Sequence, residues 1–300
     1  MFLTILLLLL LIKGRLIIKK KTRNKIIAVV ALVVVVLIGY FSFFKKDVAE
    51  DKTVKVGIMS GSKESTEIWD SVAKTAKDEY GINLKFVRFT DYNQPNTALV
   101  NGDVDINAFQ HYAFLKEWND ANNADLQPIG DILVSPIRLY SKKHTDVKEI
   151  PNKGTIAVPN DTSNESRALY VLESAGLIKL DTKAGALATV KDITENPKDL
   201  TIKELDGSQT ASALSSVDAA VVNNDFSVPA GLTNKEVIAT EPLNENSKQW
   251  INIIVARKDD KDNQLYKDVV KAYQTKETEE LFAKLYPEKG TIPAWNLKLK

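Results

Sequence analysis

The chain has 300 residues, enough to bury one large or two modest hydrophobic cores. Its 40 basic and 39 acidic side chains nearly cancel, so global charge leaves no footprint for a nucleic-acid partner. It holds no cysteine, which excludes disulfides, thiolate metal sites, a cysteine nucleophile and lipid attachment at a cysteine.

The charge is uneven along the chain. Residues 1–25 carry Lys13, Arg15, Lys19, Lys20, Lys21, Arg23 and Lys25 and no acidic residue. Residues 26–44 follow without a charge, and at about 1.5 Å per residue they reach roughly 28 Å as a helix, close to the thickness of a bilayer core. The heavier positive flank lies before this run, so residues 1–25 are expected in the cytoplasm and residues beyond Asp47 outside it. The reading is a single-pass transmembrane anchor; a cleaved signal peptide, with Ala49 as the neighbour of the cut, is the alternative. Residues 2–12 are apolar but short for a span.

After a charged linker over 45–52 the pattern changes to alternating strands and helices. Val54–Ile58 reads as a buried strand and Ile68, Val72 and Ala76 as one helix face, with Gly81 as its stop. Leu84–Phe89 alternates at period two, Val104–Asn107 is a short strand, and 112–122 is helical. A second block opens near Pro136 with a strand at Thr155–Val158, a helix over 164–175 halted by Gly176, and a strand at Ala219–Val222. Ile251–Ala256 returns to strand, and two helices close the chain, the last stopped by Pro287. This rhythm predicts an α/β protein with mostly parallel sheets in two lobes. Residues 53–135 with 250–300 form lobe 1, residues 136–249 form lobe 2, and crossovers lie near 135–141 and 241–250. A cleft between the lobes, beyond the carboxyl ends of the strands, is then the default site.

Catalytic motifs are missing. His111 and His144 are the two histidines, and no nucleophile elbow, paired metal-binding histidines or phosphate-binding glycine loop occurs. The expectation is a protein without enzymatic activity, metal or cofactor. Binding groups instead gather at predicted strand ends. Phe109, His111 and Tyr112 follow one strand, and Asn223, Asn224 and Asp225 follow another. Asn164 and Arg167 share a helix face in a first turn, where a guanidinium suits a carboxylate. Each has a plainer reading: Arg167 in a surface pair with Glu165 or Asp161, the Asn-Asn-Asp run as a turn, and Phe109 with Tyr112 as core. Together the groups suit a zwitterion with an apolar tail.

The segments DYNQPNTAL (91–99), NGDVDINAFQHYAFL (101–115), VPNDTSNESRAL (158–169), VDAAVVNNDFSVPAGL (217–232) and INIIVARKDDKD (251–262) closely resemble the NlpA/MetQ-type methionine-binding lipoprotein family. The resemblance covers nearly all of residues 53–295. It implies a two-lobed, type II-like periplasmic-binding-protein fold that closes on a free amino acid, above all methionine. Its partners would be an ABC permease and its ATPase, with another amino acid or a methionine-containing dipeptide as the alternative ligand. It further implies that Tyr92, Phe109, His111 and Tyr112 wall the ligand side chain, while Asn164, Arg167, Asn223 and Asn252 hold its carboxylate and ammonium. Three departures stand out. The anchoring cysteine is replaced by the apolar run, Asp225 occupies a position where the family often has Asn, and Arg138 stands where a small residue is common. Asp225 and Arg138 are therefore candidate ligand-tuning residues.

Overall fold

The structure, a computed structural model, describes residues 52–287 and 290–297. The apolar run at 26–44, expected as a membrane anchor, lies outside the described residues, and among those described no helix is long and apolar enough to cross a membrane.

The elements start where local chemistry places them. Strand β1 (Lys52–Met59) buries Val54, Val56 and Ile58. Helix α1 (Lys63–Tyr80) begins at Ser62, whose hydroxyl accepts the Ser65 amide, and ends at Gly81 with φ 70°, the left-handed cap that glycine adopts without a Cβ penalty. Its buried stripe of Ile68, Trp69, Val72 and Ala76 packs on the first sheet. Strand β2 (Ile82–Phe89), helix α2 (Gln94–Asn101, with Pro95 in its first turn), the short β3 (Ile106–Asn107) and α3 (Tyr112–Asn122) follow. Strand β4 (Gln127–Val134) then leads through residues 135–137 into β5 (Arg138–Tyr140) of the second sheet. There β6 (Thr155–Pro159) precedes α4 (Thr162–Ser174), and β7 (Lys179–Leu180) and β8 (Ile193–Glu195) pair as a small ribbon. Strand β9 (Thr201–Leu205), α5 (Gly207–Ala213), β10 (Ala219–Val222), α6 (Asn224–Ser227) and β11 (Val237–Thr240) complete that half. The chain returns through residues 241–251 to β12 (Asn252–Ala256), α7 (Gln264–Tyr273), α8 (Lys276–Leu285) and β13 (Ile292–Pro293).

The first sheet has the order β13-β4-β12-β3-β1-β2 and the second β11-β5-β10-β6-β9. Both are mixed, which corrects the expectation of mostly parallel sheets. Strand β1 pairs in parallel with β2 and β3, and β6 with β9 and β10, but β12 runs antiparallel to β3 and β4, and β5 antiparallel to β10 and β11. The cause is the double crossing. A strand such as β5 or β12 enters its sheet from the side where the chain has just crossed, so it runs against strands whose carboxyl ends lie on that side. Strand β13, which pairs with β4, carried no recognisable pattern because it is two residues long.

Each sheet has its own core. Trp69, Tyr273 and Phe282 meet edge-on or tilted beside the first sheet, and Leu169, Leu172 and Ile156 fill the second.

Candidate functional site

A cavity of about 120 Å³ lies between the two sheets, at the ends of β1, β3 and β10 and the first turn of α4. That is room for several water-sized groups, the scale of one small ligand. Asn164, Arg167, Asn223 and Asn252 line its polar end, and Tyr92, Phe109 and His111 line its wall. Asp225 also faces it.

The hydrogen bonds at the polar end fix one another in sequence. Asp161 caps α4, accepting the Asn164 backbone N–H at 3.0 Å, and its carboxylate also takes the Asn164 amide group at 3.0 and 3.1 Å. An ionised carboxylate only accepts, so the Asn164 NH₂ must face it and Oδ1 must point the other way. That oxygen accepts from Asn223 Nδ2 at 2.8 Å and meets His111 Nε2 at 3.3 Å. His111 is itself the cap of α3, its Nδ1 accepting the Phe114 N–H at 3.1 Å, so the proton resides on Nε2. Burial, with the Arg167 charge adding to it, lowers its pKa to about 3, and the ring is a neutral donor. With its NH₂ committed to Asn164, Asn223 presents its carbonyl. Asn223 Oδ1 is the buried side-chain polar atom among the described residues that has no hydrogen-bond partner, on a residue only 7% exposed. An orphaned buried acceptor costs free energy until a donor arrives.

Arg167 is 4% exposed and is not in a surface pair with Glu165 or Asp161. Its Nε donates to Glu241 Oε1 at 2.8 Å and its Nη2 to Glu241 Oε2, while Nη2 also reaches the Ser135 carbonyl at 2.8 Å. Glu241 Oε2 accepts the Ile137 amide as well, at 3.1 Å. The cation of the cleft is thus tied to both crossing segments, with the Trp250 ring 5.0 Å away and Trp250 also edge-on to His111. Glu241 and Trp250 were not legible beforehand: nothing in their spacing ties residues 241 and 250 to Arg167.

The aromatic wall is a cluster. Tyr92 lies 5.8 Å from Phe109 and 4.8 Å from Phe226, and its hydroxyl donates to Asp225 Oδ2 at 2.9 Å. Burial raises the Asp225 pKa to about 6, with the Tyr92 bond opposing that rise.

Two expected ligand contacts lie elsewhere. Tyr112 is 38% exposed and outside the cavity, its hydroxyl donating to Asp131 Oδ1 at 2.6 Å. The reason is helical: His111 turns inward as the cap, and the first helical residue after it projects from another face. Arg138 does not line the cavity either. Its Nη1 donates to Asn224 Oδ1 at 3.4 Å, and its guanidinium lies against Gly290, where an added Cβ would come within 2.7 Å of Nη2.

Part of the quoted signature serves the scaffold. Asn96 Oδ1 accepts from Gln110 Nε2 at 2.6 Å and Asn107 Nδ2 at 2.8 Å, and Asn96 Nδ2 donates to Gln110 Oε1 at 2.8 Å. All three amides are buried, and they lock α2 to the segment that delivers Phe109 and His111.

Two lobes with mixed sheets, crossed twice by the chain and closing on a small cavity with a fixed cation and an open acceptor, define an α/β substrate-binding protein. The chain belongs to the NlpA lipoprotein family, whose model matches residues 54–295. It is 50% identical to the substrate binding protein of a methionine transporter from Streptococcus pneumoniae, with a TM-score of 0.76 over 81% of this chain and 96% of that one. A nutrient binding protein from Burkholderia cenocepacia, solved bound to methionine, is 42% identical with a TM-score of 0.75, covering 80% of this chain and 99% of that one. The D-methionine-binding lipoprotein MetQ of Escherichia coli strain K12 is 37% identical over 253 residues, 83% of this chain and 91% of that protein.

Proposed function

We propose that this protein is the extracytoplasmic binding component of an ABC importer and that it captures free methionine in the interlobe cavity. The observation that carries the reading is the unsatisfied Oδ1 of Asn223, a residue that lines the cavity together with Arg167 and an aromatic wall. An α-amino acid supplies an ammonium for the acceptor, a carboxylate for the remaining guanidinium N–H groups, and an apolar tail for Tyr92, Phe109 and His111. Relatives at 37% to 50% identity that bind methionine support the choice of ligand.

In this reading residues 53–135 with 250–300 act as lobe 1 and residues 136–249 as lobe 2, and the ligand is held rather than turned over. Residues 26–44 hold the domain at the outer membrane face beside the permease and its ATPase, in place of a lipidated cysteine. The test is thermal melting of the refolded protein, stripped of carried-over ligand, across the free amino acids. At about 100 times its dissociation constant a ligand adds roughly 2.7 kcal/mol, several degrees of melting shift for a domain of this size. A shift with methionine is the expected result. A shift confined to other amino acids would replace the ligand, and no shift with any would remove the reading.

A further inference from the structure

The ionisable groups around the cavity do not add up to a carboxylate receptor. Among the described residues the wall carries one guanidinium, Arg167, and one carboxylate, Asp225. His111 is neutral in its buried position, its Nδ1 already accepting a backbone N–H. Behind Arg167 stands Glu241, 9% exposed, whose two carboxylate oxygens take Nε and Nη2 in a bidentate pair. One positive charge therefore faces two negative ones, with the Asp161 carboxylate a further one behind Asn164, in a poorly solvated region where charge interactions are several times stronger than in water. The unmet hydrogen-bonding demand has the same sign, because Asn223 Oδ1 seeks a donor. Asp225 adds to it, since among the described residues it has the single partner Tyr92, bonded through Oδ2.

Resting on the reading of the cavity as a free amino-acid site, we propose that Glu241 and Asp225 make it selective for the amine. Glu241 cancels the guanidinium, Asp225 and Asn223 call for a cationic donor, and the ligand's carboxylate is the lesser contact. The site then accepts α-amino acids and their carboxyl-blocked derivatives, and it refuses carboxylates of the same shape that lack the amine. A carboxylate alone would bring a further negative charge to a site with a single cation. An ammonium with its carboxylate blocked leaves the charges better matched than they were before it entered.

The experiment is calorimetric titration of the refolded full-length protein with methionine, with its carboxamide, and with its desamino acid. Methionine should bind, and the carboxamide should bind at least about tenfold tighter than the desamino acid, the scale of one charge-assisted contact. Asp225→Asn should narrow that ratio. Glu241→Gln, which leaves Arg167 uncompensated, should strengthen the desamino acid relative to the carboxamide by about tenfold or more. If Glu241→Gln does not fold, the near-isosteric Asp225→Asn decides alone. Methionine bound by a wild type that prefers the desamino acid, or an unchanged ratio in the folded variants, overturns the amine selectivity and leaves the amino-acid reading standing. Failure of methionine itself to bind removes that reading and this inference with it.

Discussion

Arg167 illustrates how a burial partner changes the meaning of a residue. Taken as a free cation it would lend most of its energy to a ligand carboxylate, but Glu241 already occupies one edge of the guanidinium, through Nε and Nη2. The larger consequence of Arg167→Ala is therefore on folding. Glu241 would be left buried and unpaired, a situation that typically costs about 3–5 kcal/mol. Chemical denaturation should show that loss, and Arg167→Ala with Glu241→Ala together should recover part of it. A double variant no more stable than the single one would show that the pair is not the source. Asp225 gives a pH test of opposite sign in two assays. Its pKa is raised by burial to about 6, so the folded protein takes up this proton before the unfolded chain does. The charged form costs stability above pH 6, and that cost is relieved as pH falls through 6. The unliganded wild type should gain melting temperature relative to Asp225→Asn as the pH falls from about 7.5 to about 5, an interval that spans the transition. Methionine affinity should fall over the same interval, because a ligand ammonium favours ionised Asp225, and Asp225→Asn should flatten both trends.

At the scale of elements, sequence patterns located most of the fold. The helix over 112–122 and the strand at Ala219–Val222 coincide with the structure, because a capped first turn and a run of four fully buried apolar residues are local signals. Strand direction was not legible, since it depends on which lobe the chain arrives from. Cavity-lining and scaffold roles were also confounded within one motif: Asn107 and Gln110 bracket Phe109, which lines the cavity, yet belong to the buried amide group around Asn96. Asn96→Ala would leave two buried amides short of partners, at about 1–3 kcal/mol each. It should lower the denaturation midpoint and weaken binding through displacement of His111, with unchanged stability counting against the network. Gly130 in β4 offers a second element-scale test. A Cβ there would lie 2.4 Å from Val270 Cγ1 on α7, and the branched valine has little rotamer freedom to yield. Gly130→Ala should cost about 1–3 kcal/mol, and adding Val270→Ala should relieve part of it, which a double-mutant cycle would measure.

At the scale of the whole molecule, side chains from the two sheets meet across the cleft. Tyr92 bonds Asp225, Asn93 Nδ2 bonds Asp206 at 3.1 Å, and His111 meets Asn164. These side chains bridge the lobes over the cavity, while Glu241, Ile137 and Ser135 join the two crossing segments through Arg167. The existence of two lobes followed from the alternating strand and helix pattern, the second block opening near Pro136 and the return to strand at Ile251–Ala256. The closure contacts did not, because each joins residues more than fifty positions apart with no periodicity between them. If those contacts hold the closed form, weakening one should populate the open form without altering either lobe. Tyr92→Phe keeps the aromatic contacts and removes the hydroxyl that Asp225 accepts. A hydrogen bond to a charged group contributes about 1.5–3 kcal/mol, enough to shift a closely balanced equilibrium by tenfold or more. Small-angle scattering of the unliganded variant should show a larger radius of gyration than the wild type, and saturating methionine should restore the wild-type profile. The apparent affinity should fall by the same factor as the closed population, since the ligand must then supply the closing free energy itself. An unchanged profile together with unchanged affinity would assign closure to the crossing segments and leave Tyr92 a role in packing alone.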